Sequence, residues 1–426
     1  STQMHMPNGF SANTILTVGP DRLPDLLWRR LKPERWPVQP AQLPGGAILV
    51  GGAVRDGLLN RLPPCPDLDL VIPGAVLGIV QGLARDHGGV CVVLDEQRDM
   101  ARLVLNGWTI DFARIEGNDL REDLFRRDFK LNAIALSLSE PQQLFDPTGG
   151  LKDLQNGLIS AIRESNLRDD PLRLLRALRL MAELEMRIDA DTLAMVKANS
   201  QLLSQSAPER IQAELLRLVA APAADQAIAL MNSLSLLQPW RAEEAQHSDT
   251  TTDMTVTDAP WMTEEEHNLA MPLARLTGLL SDQGLKSLRF SRRQIQRCMR
   301  LRYWQKSLAA DNDNPLSEVE MVRLHQELEA DLPALLLHWP EQRRNQWMQR
   351  WRDPEDPLFH PCSPVDGDSL QAELSLKPGP RLGALIKHLT IAHAYGRVVS
   401  QQQALDEARR WLHRPSSASQ SNGRCD

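Results

Sequence analysis

Cysteine, tyrosine and unbroken apolar sequence are all scarce in this chain of 426 residues. Its five cysteines (65, 91, 298, 362 and 425) are odd in number and far apart. No CxxC and no Cys/His pair stands at zinc spacing, so reduced thiols and no structural metal are expected. The longest apolar run, around Ala47 to Val54, contains two glycines and is far too short to span a bilayer. No charged segment followed by an apolar one opens the sequence, so no secretory signal is expected and a cytoplasmic location is. An excess of positive charge is also missing: 48 Lys and Arg stand against 55 Asp and Glu, a net charge of −7. A nucleic-acid partner would therefore need a local basic surface. Hydrophobic residues at 42% and charged residues at 24% exclude wholesale disorder. No protein partner is evident.

At roughly 150 residues per domain the length predicts two to four domains. Residues 1–44 are proline-rich and read as an extension with a short helix around Asp25 to Leu31. Ala47 to Val50 then reads as a buried strand, Gly51-Gly52 as a tight turn and Ala53 to Asn60 as a helix. Further strands are expected at Asp67–Ile72, Gly89–Leu94, Ala101–Leu105 and Trp108–Ala113. Asn106-Gly107 joins the last two in a hairpin. After Asp146 strand signals almost vanish. Pro171 to Glu185 and Ala207 to Ala220 carry helical apolar stripes, and helical texture continues to about 412. The stretch 242–266 reads as an acidic linker, and 414–426 as a flexible C-terminus. The fold class is thus α+β: a mixed α/β domain followed by an all-helical remainder.

Asp67-Leu68-Asp69 places two acids on one face of a strand. Like charges so placed repel, and hard oxygen donors of this kind suit magnesium. Asp111, within another apolar strand, is expected on the neighbouring one. Three acids on adjacent strands suit two-metal phosphoryl or nucleotidyl transfer, although an isolated DxD is more often a solvated strand end. Gly51-Gly52, between strand and helix, lets the backbone approach a phosphate. Arg55 can add a charge-assisted contact to it.

With these residues in place the sequence resembles the bacterial CCA-adding enzyme and poly(A) polymerase family of nucleotidyltransferases. The resemblance covers about 45–220. It is carried by Gly51-Gly52-Ala53-Val54-Arg55-Asp56 with Asp67 and Asp69, by Arg126 to Ala133, by Asp146 to Asp153, by Asp169 to Arg179, and by Ala207 to Ile211 with Glu214. Lys130 stands where the family usually has Thr, and Asp169 where it has Glu. The resemblance implies a nucleotidyltransferase head at 45–150, a helical neck at 151–220, and a helical body and tail at 221–413 that bind tRNA. It implies CTP or ATP as substrate, Arg127 on the triphosphate and Asp128 on the ribose hydroxyls.

Asp170 and Arg173 lie three residues apart and can face one base. A carboxylate accepts from the amino group of C or A while a guanidinium donates to a ring acceptor, so the pair selects C and A without a template. The plainer reading makes Asp170 a helix cap before Pro171. Arg176 and Arg179 continue the spacing toward phosphates, or are ordinary solvated arginines. From 286 to 306 eight basic residues occur with no acid; Lys286, Arg289, Arg292, Arg293 and Arg297 are the expected RNA contacts. Only Ile115 to Asp119 separates the strand of Asp111 from the next helix. Relatives that add A usually carry a long loop there, so its loss implies addition of C alone to tRNA. Asp95 to Arg102 is not similar to the basic, aromatic segment of bacterial poly(A) polymerases.

Overall fold

The computed structural model describes residues 18–241, 259–309 and 315–414. They fall into two compact units, divided between Pro239 and Trp240.

The first unit opens with α1 (Leu23–Leu31). Leu23, Leu27, Leu31, Trp36 and Val38 are buried, and the Trp36 indole donates to the Leu31 carbonyl at 3.0 Å. Arg30 donates to the carbonyls of Gly57 and Leu58, both at 3.0 Å. Residues 18–44, expected as an extension, are thus packed onto the mixed domain. Residues 1–17 of that expected extension lie outside the described residues.

The mixed domain runs β1 (Ile48–Val50), α2 (Gly52–Leu58), β2 (Leu68–Ile72), α3 (Val76–His87), β3 (Val90–Asp95), β4 (Met100–Leu105), β5 (Trp108–Arg114), α4 (Leu120–Phe125), β6 (Ala135–Ser137), β7 (Leu144–Phe145) and α5 (Gly150–Asn156). The seven strands form one sheet in the order β3-β4-β5-β2-β1-β6-β7. β2 and β5 are parallel and the other pairs antiparallel. The five expected strands are all present. β6 and β7 are three and two residues long, too short for a two-residue period to register. One sheet face buries Ala101, Leu103 and Leu105 beneath Val80, Leu83 and Ala84 of α3. Each such Leu or Val contributes about 1.5–3 kcal/mol on burial. The opposite face carries the acids. Around β1, β2 and β6 a cluster of Val50, Val71, Leu124, Ala133 and Ala135 covers it.

The rest of the unit comprises β8 (Leu158–Ile159), α6 (Glu164–Asp169), α7 (Leu172–Leu184), β9 (Arg187–Ile188), α8 (Ala190–Asn199), α9 (Pro208–Val219) and α10 (Ala224–Ser233). β8 and β9 pair in parallel. The apolar stripe of α7, including Leu174, Leu175 and Leu178, is buried, and α7 packs on α9 and α10.

The second unit is helical: α11 (Glu264–Leu279), α12 (Asp282–Ser287), α13 (Arg292–Ala309), α14 (Glu318–Leu328), α15 (Leu332–Leu335), α16 (Glu341–Arg352), α17 (Gly367–Leu374), α18 (Pro380–Ala394) and α19 (Gln401–His413). Of the expected acidic linker, 242–258 lies outside the described residues. Its end is not a linker: Thr263 and Glu266 form a reciprocal capping box that starts α11. Leu370, Leu385, Leu389, Val398, Ala404 and Ala408 form a core shared by α17, α18 and α19. Residues 415–426, almost all of the expected flexible C-terminus, lie outside the described residues. His325 is buried against Trp347 and Phe359, and loss of water holds its pKa near 3. His388 pairs with Glu407 at 3.0 Å. Among the described residues no helix is long and apolar enough to cross a membrane, and none of the four cysteines is in a disulfide.

Candidate active site

β2 and β5 run parallel with Asp69 directly opposite Asp111, so both carboxylates stand on one face. Asp67 precedes β2 by one residue and is exposed. Burial raises the Asp69 pKa to about 6, and the negative charges of Asp111 and Asp67 add to it against Arg127 and Arg102. Three hard oxygen donors, two of which raise the proton affinity of Asp69, are a donor set for a divalent cation, which relieves their repulsion. The fit is chemical and not yet geometric, because no cluster already spaced for a metal exists among the described residues.

Arg102 accounts for part of that. It lies opposite Asp111 on β4, and its Nε and Nη2 donate to the two Asp111 oxygens at 2.7 and 3.1 Å. The motifs alone give Arg102 no role in the site. Counting outward from the two-residue turn Asn106-Gly107 finds it: Leu105 faces Trp108, so Arg102 must face Asp111.

Gly51 has φ of 78°, a conformation costly for other residues. A Cβ built there would lie 3.4 Å from Asp69 Oδ2, so the glycine turn and the acids adjoin. Arg55 lies against that turn, its Nη2 3.5 Å from where a Cβ on Gly52 would stand. It is buried, with Nε donating to Asp56 (2.9 Å) and Nη1 to Asn132 (2.6 Å). It braces α2 from inside.

The arginine motif is held from both sides. Arg127 pairs with buried Asp123 at 3.1 Å. Asp128 is buried; one oxygen accepts from the Phe129 amide (2.7 Å) and Asn132 (3.2 Å), the other from Arg176 (3.4 Å). Asn166 on α6 donates to the carbonyls of Phe125 and Arg127 at 2.7 and 2.8 Å. Asp146, in the third motif, accepts from the Gly150 and Leu151 amides at 2.7 and 3.1 Å, which is the start of α5.

Asp170 does not cap α7. Pro171 occupies the cap position and no side chain bonds there. Asp170 is instead gripped by Arg210 of α9 at 3.1 and 2.9 Å. Burial works against its ionisation, but the Arg210 hydrogen bonds prevail and hold its pKa below the usual range. Arg173 Nη1 donates to the carbonyls of Arg126 and Asn166 at 3.1 and 2.9 Å, while its buried Nε has no partner. Arg176 bridges Asp128 and Glu214. Arg179 is buried between Glu214 and Glu183. It is neither solvated nor directed at a phosphate. Arg210 falls inside the Ala207–Ile211 motif, whose residue types give it no role; only a fold that brings residues 170 and 210 together reveals one.

In the second unit Lys286, Arg289, Arg292 and Arg293 are exposed. Arg297 is not available in the same way: it forms a two-pronged pair with buried Asp331, both contacts 2.9 Å. Lys286, Arg292, Arg300 and Arg323 line an open groove of about 560 Å³ whose apolar wall includes Ile295, Met299 and Tyr303.

Residues 47–160 match the family described as Poly A polymerase head domain. Residues 185–241 match one described as a probable RNA- and SrmB-binding site of polymerase A. A CC-adding tRNA nucleotidyltransferase from Synechocystis is 30% identical over 394 residues, 87% of this chain and 94% of its own. An A-adding tRNA nucleotidyltransferase from Deinococcus radiodurans is 30% identical over 86% of this chain and 96% of its own. The solved structure of a Thermotoga maritima CCA-adding enzyme complexed with tRNA shares the fold, with a TM-score of 0.66 and 20% identity across 94% of this chain and 98% of that one. The motifs, the acid-bearing sheet and these full-length likenesses agree: the chain belongs to the bacterial tRNA nucleotidyltransferase family, together with the CCA-adding enzymes and poly(A) polymerases.

Proposed function

We propose that this enzyme adds CMP from CTP to tRNA lacking its CCA end and stops after two additions. The observation that carries the specificity is the connection from β5 to α4. It has five residues, and hydrogen bonds hold it along its length. The Ile115 amide donates to the Ile72 carbonyl (3.1 Å), Glu116 to Asp123 (2.8 Å), and Asn118 to Glu122 (2.9 Å). Asp119 caps α4 through the Glu122 amide. Gly117 has φ of 82°, and a Cβ there would collide with Glu122. Such a segment cannot extend over a base pocket, since five residues reach at most about 18 Å fully drawn out. Asp170 and Arg173 then keep one geometry. The Synechocystis relative is CC-adding, and so are those from Geobacter sulfurreducens and Thermus thermophilus. A-adding is the second reading, because the Deinococcus relative is also 30% identical and the Asp170–Arg173 pair suits adenine too.

In the reaction the tRNA 3′ hydroxyl oxygen gives its proton to solvent and bonds to the α-phosphorus of CTP, the bond from that phosphorus to the oxygen bridging the β-phosphate breaks, and pyrophosphate leaves. Magnesium held by Asp67 and Asp69, with Asp111 sharing one ion, would lower the cost of ionising the hydroxyl and neutralise the leaving group. The chain's own work is positioning: Gly51 and Gly52 admit the triphosphate, Arg127 contacts it, and Asp128 holds the ribose. Arg173 supplies the donor for the base ring, and Asp170 the acceptor for its amino group. Arg55, Arg176 and Arg179 brace these groups. Lys286, Arg289, Arg292 and Arg293 meet tRNA phosphates, and a tRNA substrate places the work in the cytoplasm. Incubation with tRNA lacking CCA and each labelled nucleoside triphosphate in turn tests the assignment. CMP incorporation, lost in Asp67→Ala and Asp69→Ala with tRNA binding retained, is expected. Binding without incorporation would instead indicate a non-catalytic RNA-binding protein.

A further inference from the structure

The acid-bearing face of the sheet is covered on one side and bare on the other. Register defines the bare side. Asp69 faces Asp111, Asp111 faces Arg102, and Arg102 faces Val92. One rung back, Thr109 faces Val104 and Val104 faces Val90. Directly paired residues share a face, so two rows lead outward from the acids, ending in valines. Val90, Val92 and Val104 are 60%, 42% and 39% exposed. Exposed valines on an edge strand invite unwanted pairing, and proteins ordinarily place charge there.

We propose that Val90, Val92 and Val104 form the floor on which the acceptor RNA's 3′-terminal nucleotide lies, and that Arg102 takes the phosphate behind it. This rests on the nucleotidyl-transfer reading above. Val92 is two strands from Asp111, about 10 Å at ordinary strand spacing. That is the span of one nucleotide with its 3′ hydroxyl at the acids and its base over the valines. The incoming nucleotide has no claim on this floor, because the glycine turn follows β1, on the far side of β2 from β4 and β3. An apolar floor also suits the chemistry. The terminal base changes after every addition, and valine offers no hydrogen bond to prefer one base over another. Arg102 couples seat and acids. Exchanging its two bonds from the Asp111 carboxylate to the RNA phosphate frees that carboxylate when the acceptor has arrived.

CMP incorporation by the unmodified chain is measured first and tests the underlying reading alone. A non-extendable acceptor tRNA with 4-thiouridine at its 3′ end is then photocrosslinked to the full chain. Crosslinks in β3 or β4 are expected; crosslinks confined to other elements overturn the seat. Val92→Glu should raise the KM for tRNA at least tenfold and leave the KM for CTP within twofold. An unchanged KM for tRNA overturns the proposal, as does a dimer that Val92→Glu dissolves without affecting RNA affinity. Replacing the terminal phosphodiester by a methylphosphonate should weaken acceptor binding by the unmodified chain several-fold and by Arg102→Gln no further. Fully additive losses would remove Arg102 from the phosphate.

Discussion

Asp69 is the residue at which the proposed metal site works against stability. Its pKa in the folded chain is about 6, raised by burial and by Asp111. A raised carboxyl pKa means that the folded form holds a proton the unfolded form has lost. Stability therefore falls as pH rises from about 4 to about 6, and above that window the full cost is present. The shift corresponds to about 1–3 kcal/mol after allowance for partial exposure. Asp69→Asn should accordingly raise the melting temperature at pH 8 but not at pH 4, while abolishing incorporation. Magnesium should raise the melting temperature of the unmodified chain and not of the variant. A variant no more stable at pH 8 would mean the acids are not in conflict. Asp170 calls for a different expectation. Since it caps nothing and its Arg210 pair is half exposed, Asp170→Ala should cost only about 0–1 kcal/mol. It should also relax the choice of C over U, scored by competing the two labelled triphosphates. Stability loss with unchanged base choice would reassign Asp170 to structure.

At the scale of elements, α13 separates exposed arginines, the proposed RNA contacts, from internal ones. Arg292 and Arg293 lie at its exposed start, whereas Arg297 belongs to Asp331 and Arg302 bonds to the carbonyls that end α11. Reversing Arg292 and Arg293 to Glu should raise the KM for tRNA, leave that for CTP unchanged, and flatten the log–log salt dependence by about two units. Arg297→Ala should instead destabilise the second unit by about 1.5–3 kcal/mol, because Asp331 loses a charged partner. An unaltered salt slope in the double reversal would move the RNA elsewhere. The same helix shows what a sequence can disclose. A run of basic residues is legible, but their division is not, because Asp331 lies 34 positions away from Arg297. Strands β1 to β5 are legible because short apolar or alternating runs and the Gly-Gly and Asn-Gly turns that bound them are local signals. The ion network from Asp128 through Arg176, Glu214 and Arg179 to Glu183 is not. It joins positions 128 to 214, and burial of Arg179 follows only from helices α7 and α9 meeting. Asp170 reads as a cap for the same reason: local chemistry fits a cap, and a distant arginine takes the carboxylate.

For the whole molecule the proposed CC-only product rests on one short segment. On that proposal the held segment Ile115–Asp119 would leave nothing to reshape the pocket between the second C and a terminal A. The most direct test is to extend tRNA lacking CCA with CTP and ATP both present and to sequence the product ends. Molecules ending in two added C residues, with A appearing only after a family-length loop is grafted between Arg114 and Leu120, are the predicted result. Efficient terminal A addition by the unmodified chain would contradict it.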